Sequence, residues 1–210
     1  MINKIKNKEA IVFDMDGTLV NSSLTIANAI NHVRKHIGLP PMEHEEILKK
    51  VNDHTVDPAR TFYNTERFEP IHEKLFTEYY SKNHGKELVL YDGIKDLLDT
   101  LKEKGKTLGL ATNAYRHSTM ESLRHLGIDD YFDAIACYDD VPHGKPEPDM
   151  LHKVLDEVKK PKDQALFIGD GPRDQLAAEK AGMDYLMVDW GFSDHQNAIK
   201  SVEQLKLTLL

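Results

Sequence analysis

Two carboxylates, Asp14 and Asp16, stand one residue apart directly after the apolar run Ile11-Val12-Phe13, and Gly17 and Thr18 follow them. A short continuous apolar run reads as a buried strand of a parallel sheet, and in such sheets chemistry gathers where strands end. An extended backbone aims both carboxyl groups to one side. Two negative charges held that close cost free energy unless a cation lies between them or one of them keeps a proton. Three later strand ends are polar too. Thr112 and Asn113 follow Leu108-Gly109-Leu110-Ala111. Lys145 lies in His143-Gly144-Lys145-Pro146-Glu147-Pro148, past a strand ending near Cys137. Asp170 and Asp174 lie in Gly169-Asp170-Gly171-Pro172-Arg173-Asp174, after Leu166-Phe167-Ile168. Carboxylates from two strands form a hard oxygen site of the kind Mg²⁺ prefers. A hydroxyl, backbone amides at helix starts and a lysine suit a phosphate group. An anionic nucleophile facing an anionic substrate needs a cation, which Mg²⁺ supplies.

The elements that must position these residues follow from periodicity. Leu24, Ile26, Ala27, Ile30, Val33 and Ile37 recur at helical spacing, with Gly38 and Pro40-Pro41 as a stop. Further helices are predicted over 43–51, 58–63 and 66–83, the last closed by Gly85, with a polar loop at 52–58. From Leu88 onward strands and helices alternate: helices at 93–104, 118–126, 147–158 and 173–181, strands at 107–111, 133–137, 165–168 and 185–188, and a weak apolar helix at 202–210. That alternation predicts an α/β fold, a doubly wound parallel sheet with right-handed crossovers and helices on both faces. The helical residues 20–86 read as a bundle inserted after the first strand. The expected domains are therefore a core of residues 1–19 and 87–210 and an inserted helical domain of residues 20–86.

A chain of 210 residues suffices for one α/β domain, with roughly sixty residues over for such an insertion. Net charge is −8 without a dense Lys/Arg stripe, which argues against a nucleic-acid partner. No stretch approaches the ~18 apolar residues of a membrane span, and the first residues lack the apolar core of a secretory signal. The single cysteine, Cys137, sits in an apolar run and reads as core, in keeping with a reducing, cytoplasmic location. The 11 histidines show no zinc-ligand spacing. The expected partner is a small soluble molecule, bound by a monomer or homodimer.

Each motif alone also has a plain structural reading. Thr112-Asn113 and Asp174 could cap helices, and Lys145 could be solvated. Four in order at four strand ends are specific, and nearly the whole chain resembles a haloacid dehalogenase-superfamily phosphatase of the phosphoglycolate phosphatase-like branch with a helical cap. The resemblance rests on Asp14-Met15-Asp16-Gly17-Thr18, Thr112-Asn113, Gly144-Lys145-Pro146 and Gly169-Asp170 through Asp174. It implies Mg²⁺-dependent hydrolysis of a phosphate monoester through an aspartyl-phosphate. Asp14 would be the nucleophile, and Asp16 would protonate the leaving alcohol and then activate water. Mg²⁺ would be held by Asp14, the carbonyl of Asp16 and Asp170, with Asp174 in or just behind that set. Thr112 and the amide of Asn113 would hold phosphoryl oxygens, and Lys145 would neutralise Asp14 and the phosphate together.

This chain departs from the pattern at Asn21-Ser22, where many relatives have Asp-Ser, at Asp92-Gly93, where they usually have Pro-Gly, and at Gly171, where they usually have a small hydroxyl residue. In the insertion, Asn52-Asp53-His54-Thr55 and nearby Arg60 are candidates to grip the leaving group, with a polar surface loop as the alternative. Lys49 and Lys50 raise the imine chemistry of a phosphonate-cleaving branch, although adjacent lysines on a helix more often face solvent. Two other functions stay open at this level: a phosphoglucomutase-like isomerase using the same intermediate, and a non-catalytic metabolite-binding protein, which the intact motifs disfavour.

Overall fold

The structure, a computed structural model, describes residues 5–51, 53, 55–191, 195 and 197–210. Among these the strands are β1 (Ala10–Phe13), β2 (Val20–Asn21), β3 (Val89–Leu90), β4 (Thr107–Ala111), β5 (Ala134–Ala136), β6 (Ala165–Gly169) and β7 (Asp184–Met187). The α-helices are α1 (Ser23–His36), α2 (His44–Val51), α3 (Pro58–Tyr63), α4 (Pro70–Glu87), α5 (Ile94–Glu103), α6 (Arg116–Leu126), α7 (Asp149–Val158), α8 (Pro172–Ala181) and α9 (Val202–Leu209). The chain forms two compact units, Met1–Asn21 with Leu90–Leu210, and Ser22–Val89. These junctions lie two to three residues from the expected 19/20 and 86/87.

The first unit is built on a five-stranded sheet of order β5-β4-β1-β6-β7 in which every pairing is parallel. β1 lies at its centre and is wholly buried, as its unbroken apolar sequence requires. Register matters most for the chemistry. Phe13 pairs with Leu110 on one side and Ile168 on the other, so the residues that follow all emerge at the same edge. Asp14, Thr112 and Asp170 are thereby neighbours, although they are separated in sequence by about a hundred residues and then by nearly sixty more.

Ala10, Val12, Ala111, Ala136 and Phe167 from the strands pack with Met150, Leu151 and Val154 of α7 and Ala177 and Ala178 of α8. α5 buries Ile94, Leu97, Leu98 and Leu101 along one stripe. Each such aliphatic side chain contributes about 1.5–3 kcal/mol by leaving water. At the opposite edge of the sheet the buried Lys8 pairs with Asp184 at 2.5 Å and donates to Asp163 O at 2.6 Å.

The second unit is helical, with Ala27, Ile30, Val33, Ile47, Phe62, Tyr63 and Leu75 as its core. The buried Arg34 is satisfied by carbonyls, its Nε on Pro40 O at 2.8 Å and its Nη1 on Phe62 O at 2.5 Å. α4 differs from the helix expected at 66–83. It begins at Pro70 because proline suits a first helical position and keeps the residue before it out of the helical region. It also runs through Gly85 to Glu87. The Glu87 carboxylate accepts from Asn28 Nδ2 at 3.1 Å and from the Tyr79 hydroxyl at 3.0 Å. Those tertiary bonds outweigh a glycine's helix cost of about 1 kcal/mol.

Cys137 is buried, and burial raises its thiol to about 11, as expected of a core residue. Among the described residues no helix is long and apolar enough to cross a membrane.

Candidate active site

Asp14 leaves β1 with its N–H still donated to Ile168 O at 2.9 Å, so its main chain is an extension of the sheet. Its carboxylate is 8% exposed. One oxygen accepts from the Lys145 ammonium at 2.5 Å, and the other faces the Thr18 hydroxyl at 3.4 Å. Burial raises the acid to about 7; Lys145 pulls it down, while the charges of Asp174 and Asp16 push it up again.

A tight turn follows. Leu19 and Val20 both donate to Met15 O at 2.9 Å, and Gly17 donates to Val20 O at 2.9 Å. Asp14 and Met15 are both buried while Asp16 is half-buried. Gly17 has φ +85°, and a Cβ there would lie 2.2 Å from Asp170 Oδ2. Both the backbone angle and the close approach of Asp170 therefore demand glycine. Trp190 Nε1 donates to Thr18 O at 2.9 Å, which pins the turn from outside.

Asp170 follows β6. Burial comes first in raising its carboxyl well above the ordinary range, and Asp14 and Asp174 add repulsion. Asp174 lies in the first turn of α8, where its Oδ2 accepts from Gly171 N at 3.2 Å as a helix cap. Its other oxygen accepts from Lys145 Nζ at 2.7 Å. Asp174 is thus both the structural cap of its turn and a member of the cluster.

Lys145 is 4% exposed and its ammonium is shared by Asp14 and Asp174. Burial alone would lower its pKa, but those two carboxylates overcome it and raise it, so the ammonium stays charged. It also lies 5.5 Å from the centre of the Phe167 ring.

Thr112 is 1% exposed. Its N–H continues the ladder to Ala136 O at 3.0 Å, and its hydroxyl oxygen accepts from Ala114 N at 3.1 Å, leaving the hydroxyl hydrogen to donate elsewhere.

Carboxylate oxygens of Asp14, Asp170 and Asp174 lie within 4.8 Å of one another. The Lys145 ammonium meets two of these carboxylates, Asp14 and Asp174. Three hard oxygen donors at that separation fit a small divalent cation. The Asp16 carboxylate is not one of the three.

Of the other expected residues, Asn113 turns its side chain to the Lys145 main chain. Arg60 stands in α3 of the second unit with its side chain 68% exposed and 3.9 Å from Glu66. His54 lies outside the described residues. Lys49 and Lys50 pair with Glu45 and Glu46 at 3.1 and 2.7 Å along their own helix, as solvent-facing lysines do. Sequence reasoning missed Trp190, Phe167 and Tyr185. Tyr185, whose hydroxyl donates to Gly169 O at 2.9 Å, holds the turn before Asp170. Periodicity puts Phe167 and Tyr185 on strands, but only the fold brings these three against the site.

The profile of the family described as haloacid dehalogenase-like hydrolase matches residues 11–188, and the chain belongs to that family. It is 31% identical to a phosphoglycolate phosphatase of Chromobacterium violaceum over 90% of this chain and 89% of that one. It is 30% identical to the pyrophosphatase PpaX of Anoxybacillus flavithermus over 88% of this chain and 85% of that one. Among solved structures, a haloacid dehalogenase-like family hydrolase from Streptococcus pneumoniae superposes with a TM-score of 0.77 at 28% identity, covering 91% of this chain and 89% of that one.

Proposed function

We propose that this hydrolase is a Mg²⁺-dependent phosphatase acting on a small-molecule phosphate monoester through an aspartyl-phosphate on Asp14. The observation that carries the reading is the cluster of Asp14, Asp170 and Asp174, whose carboxylate oxygens lie within 4.8 Å of one another, with the Lys145 ammonium 2.5 Å from Asp14 and 2.7 Å from Asp174. Asp14, Asp170 and the main-chain carbonyl of Asp16 would hold the metal, with Asp174 in or just behind that set. When bound, Mg²⁺ lowers the repulsion between an attacking carboxylate and phosphoryl oxygens.

The chain's own residues divide the work. Asp14 forms a bond to phosphorus as the bond to the alcohol oxygen breaks, and Asp16 gives that oxygen its proton. Water then loses a proton to Asp16 and adds to phosphorus, which frees Asp14 and releases inorganic phosphate. Thr112 and the main-chain amide of Asn113 donate to phosphoryl oxygens, and Lys145 offsets charge on the transferring group. Residues 20–86 act as a cap that chooses the substrate and excludes water, with the stretch holding His54 and with Arg60 as its leaving-group contacts. The names of the relatives make 2-phosphoglycolate and inorganic pyrophosphate the first compounds to try in a phosphate-release panel. The protein works in a reducing cytoplasm, which suits its lone buried thiol.

The test is hydrolysis of an aryl phosphate with Mg²⁺. Asp14→Asn keeps the shape of the side chain and removes the nucleophile, and turnover falls at least ~10³-fold. An unchanged rate would sink the mechanism.

A further inference from the structure

Both polar atoms of the Asn113 side chain are engaged by the main chain of one residue far along the sequence. Asn113 Nδ2 donates to Lys145 O at 2.9 Å, and Lys145 N donates to Asn113 Oδ1 at 2.8 Å. This is one rung of a β-ladder with a side chain in place of the second strand. The loop around Lys145 needs it. Residues 141–148 form no strand or helix, and Pro146 has no N–H to offer. The turn bond in that loop, Glu147 N to Gly144 O at 2.9 Å, skips Lys145. The fit is close as well, since a Cβ at Gly144 would lie 2.8 Å from Asn113 Oδ1 and 2.7 Å from the Tyr138 ring. On its other side Asn113 is fixed through Thr112, which is tied to Ala136 and Ala114.

We infer that Asn113 is a positioning residue that acts on catalysis through Lys145, because its side chain sets the height at which the Lys145 ammonium meets Asp14 and Asp174. The inference rests on the phosphatase reading above. Lysine is a long, flexible side chain that loses rotamer freedom when its head is held in one place. Here the ammonium is held by two carboxylates and lies 5.5 Å from the centre of the Phe167 ring, and the main chain is held by Asn113. Removing the last of these leaves the ammonium attracted to the same carboxylates but free to approach them from a displaced loop. Displacement on the scale of 1 Å costs about 10²-fold in rate at such a site.

The experiment is a double-mutant cycle on the full chain with Mg²⁺: wild type, Asn113→Ala, Lys145→Ala and the double variant. Each is assayed for kcat/KM on an aryl phosphate and, by calorimetry, for the affinity of inorganic phosphate, which is readable without turnover. In the wild-type background Asn113→Ala should lower kcat/KM about 10–100-fold, and in the Lys145→Ala background less than about twofold, with the same non-additivity in phosphate affinity. Equal losses in both backgrounds would show that Asn113 acts on substrate or fold independently of Lys145 and would overturn the inference. If Asn113→Ala does not fold, the isosteric Asn113→Asp runs the same cycle, since it keeps the acceptor for Lys145 N and loses the donor for Lys145 O. Wild-type turnover in Lys145→Ala would likewise overturn the inference, whereas no release of phosphate by the wild type with Mg²⁺ would overturn the phosphatase reading itself, an outcome distinct from an additive cycle.

Discussion

Lys145 decides the electrostatics of the cluster residue by residue. Asp14 and Asp174 are buried with Asp170 half-buried beside them, and Lys145 binds the first two. The consequence is a proton. Asp14 is raised from 3.8 to about 7 by burial first, so in the metal-free protein the folded state holds a proton there that the unfolded chain has lost. The sign follows from linkage: where the folded state binds more protons, stability falls as pH rises. In the presence of chelator the melting temperature is expected to fall between about pH 4 and pH 7, the window set by those two values. Asp14→Asn cannot titrate, so its slope across that window should be shallower. Equal slopes in the two proteins would place the proton elsewhere.

At the scale of elements, the turn after β1 and the first turn of α8 are built against each other. Gly17 leaves room for Asp170, and Asp174 caps α8 with one oxygen while the other holds Lys145. Gly17→Ala would put a Cβ 2.2 Å from Asp170 Oδ2 on a backbone at φ +85°. The expected outcome is a loss of about 1–3 kcal/mol in stability together with lost turnover, measured by denaturant melts and aryl phosphate assay. A variant with wild-type stability and activity would mean that the turn has a relaxed alternative.

For the molecule as a whole, a divalent cation that binds the folded cluster and not the unfolded chain must stabilise the fold. At a concentration about 100 times Kd the gain is about 2.7 kcal/mol. Mg²⁺ is therefore expected to raise the melting temperature in a dose-dependent way, and Asp170→Asn should abolish most of the shift. A melting temperature indifferent to Mg²⁺ would remove the metal from the proposal.

The parallel sheet, the order of its strands and helices and the four polar strand ends were legible in the sequence. The reason is local: buried parallel strands must be continuously apolar, so the first carboxylate, hydroxyl or loop lysine after each run stands out. Asp14, Thr112 and Asp170 were visible in that way, and Lys145, eight residues past Cys137, through the Gly144-Lys145-Pro146 motif. Helix ends were less so. The start of α4 was marked by Pro70, but its passage through Gly85 depends on Glu87 meeting Asn28 and Tyr79, partners the local sequence does not contain. The same holds inside the site. Sequence alone determined that carboxylates, a hydroxyl and a lysine would share one edge of the sheet. Only tertiary structure decided that Lys145 bridges Asp14 and Asp174, that Asn113 turns its side chain to the Lys145 main chain, and that Trp190 and Tyr185 brace the turns. Which residues can do chemistry is a property of residue type and strand end; how they are held is a property of register and loop packing between segments 16 to 172 residues apart in sequence.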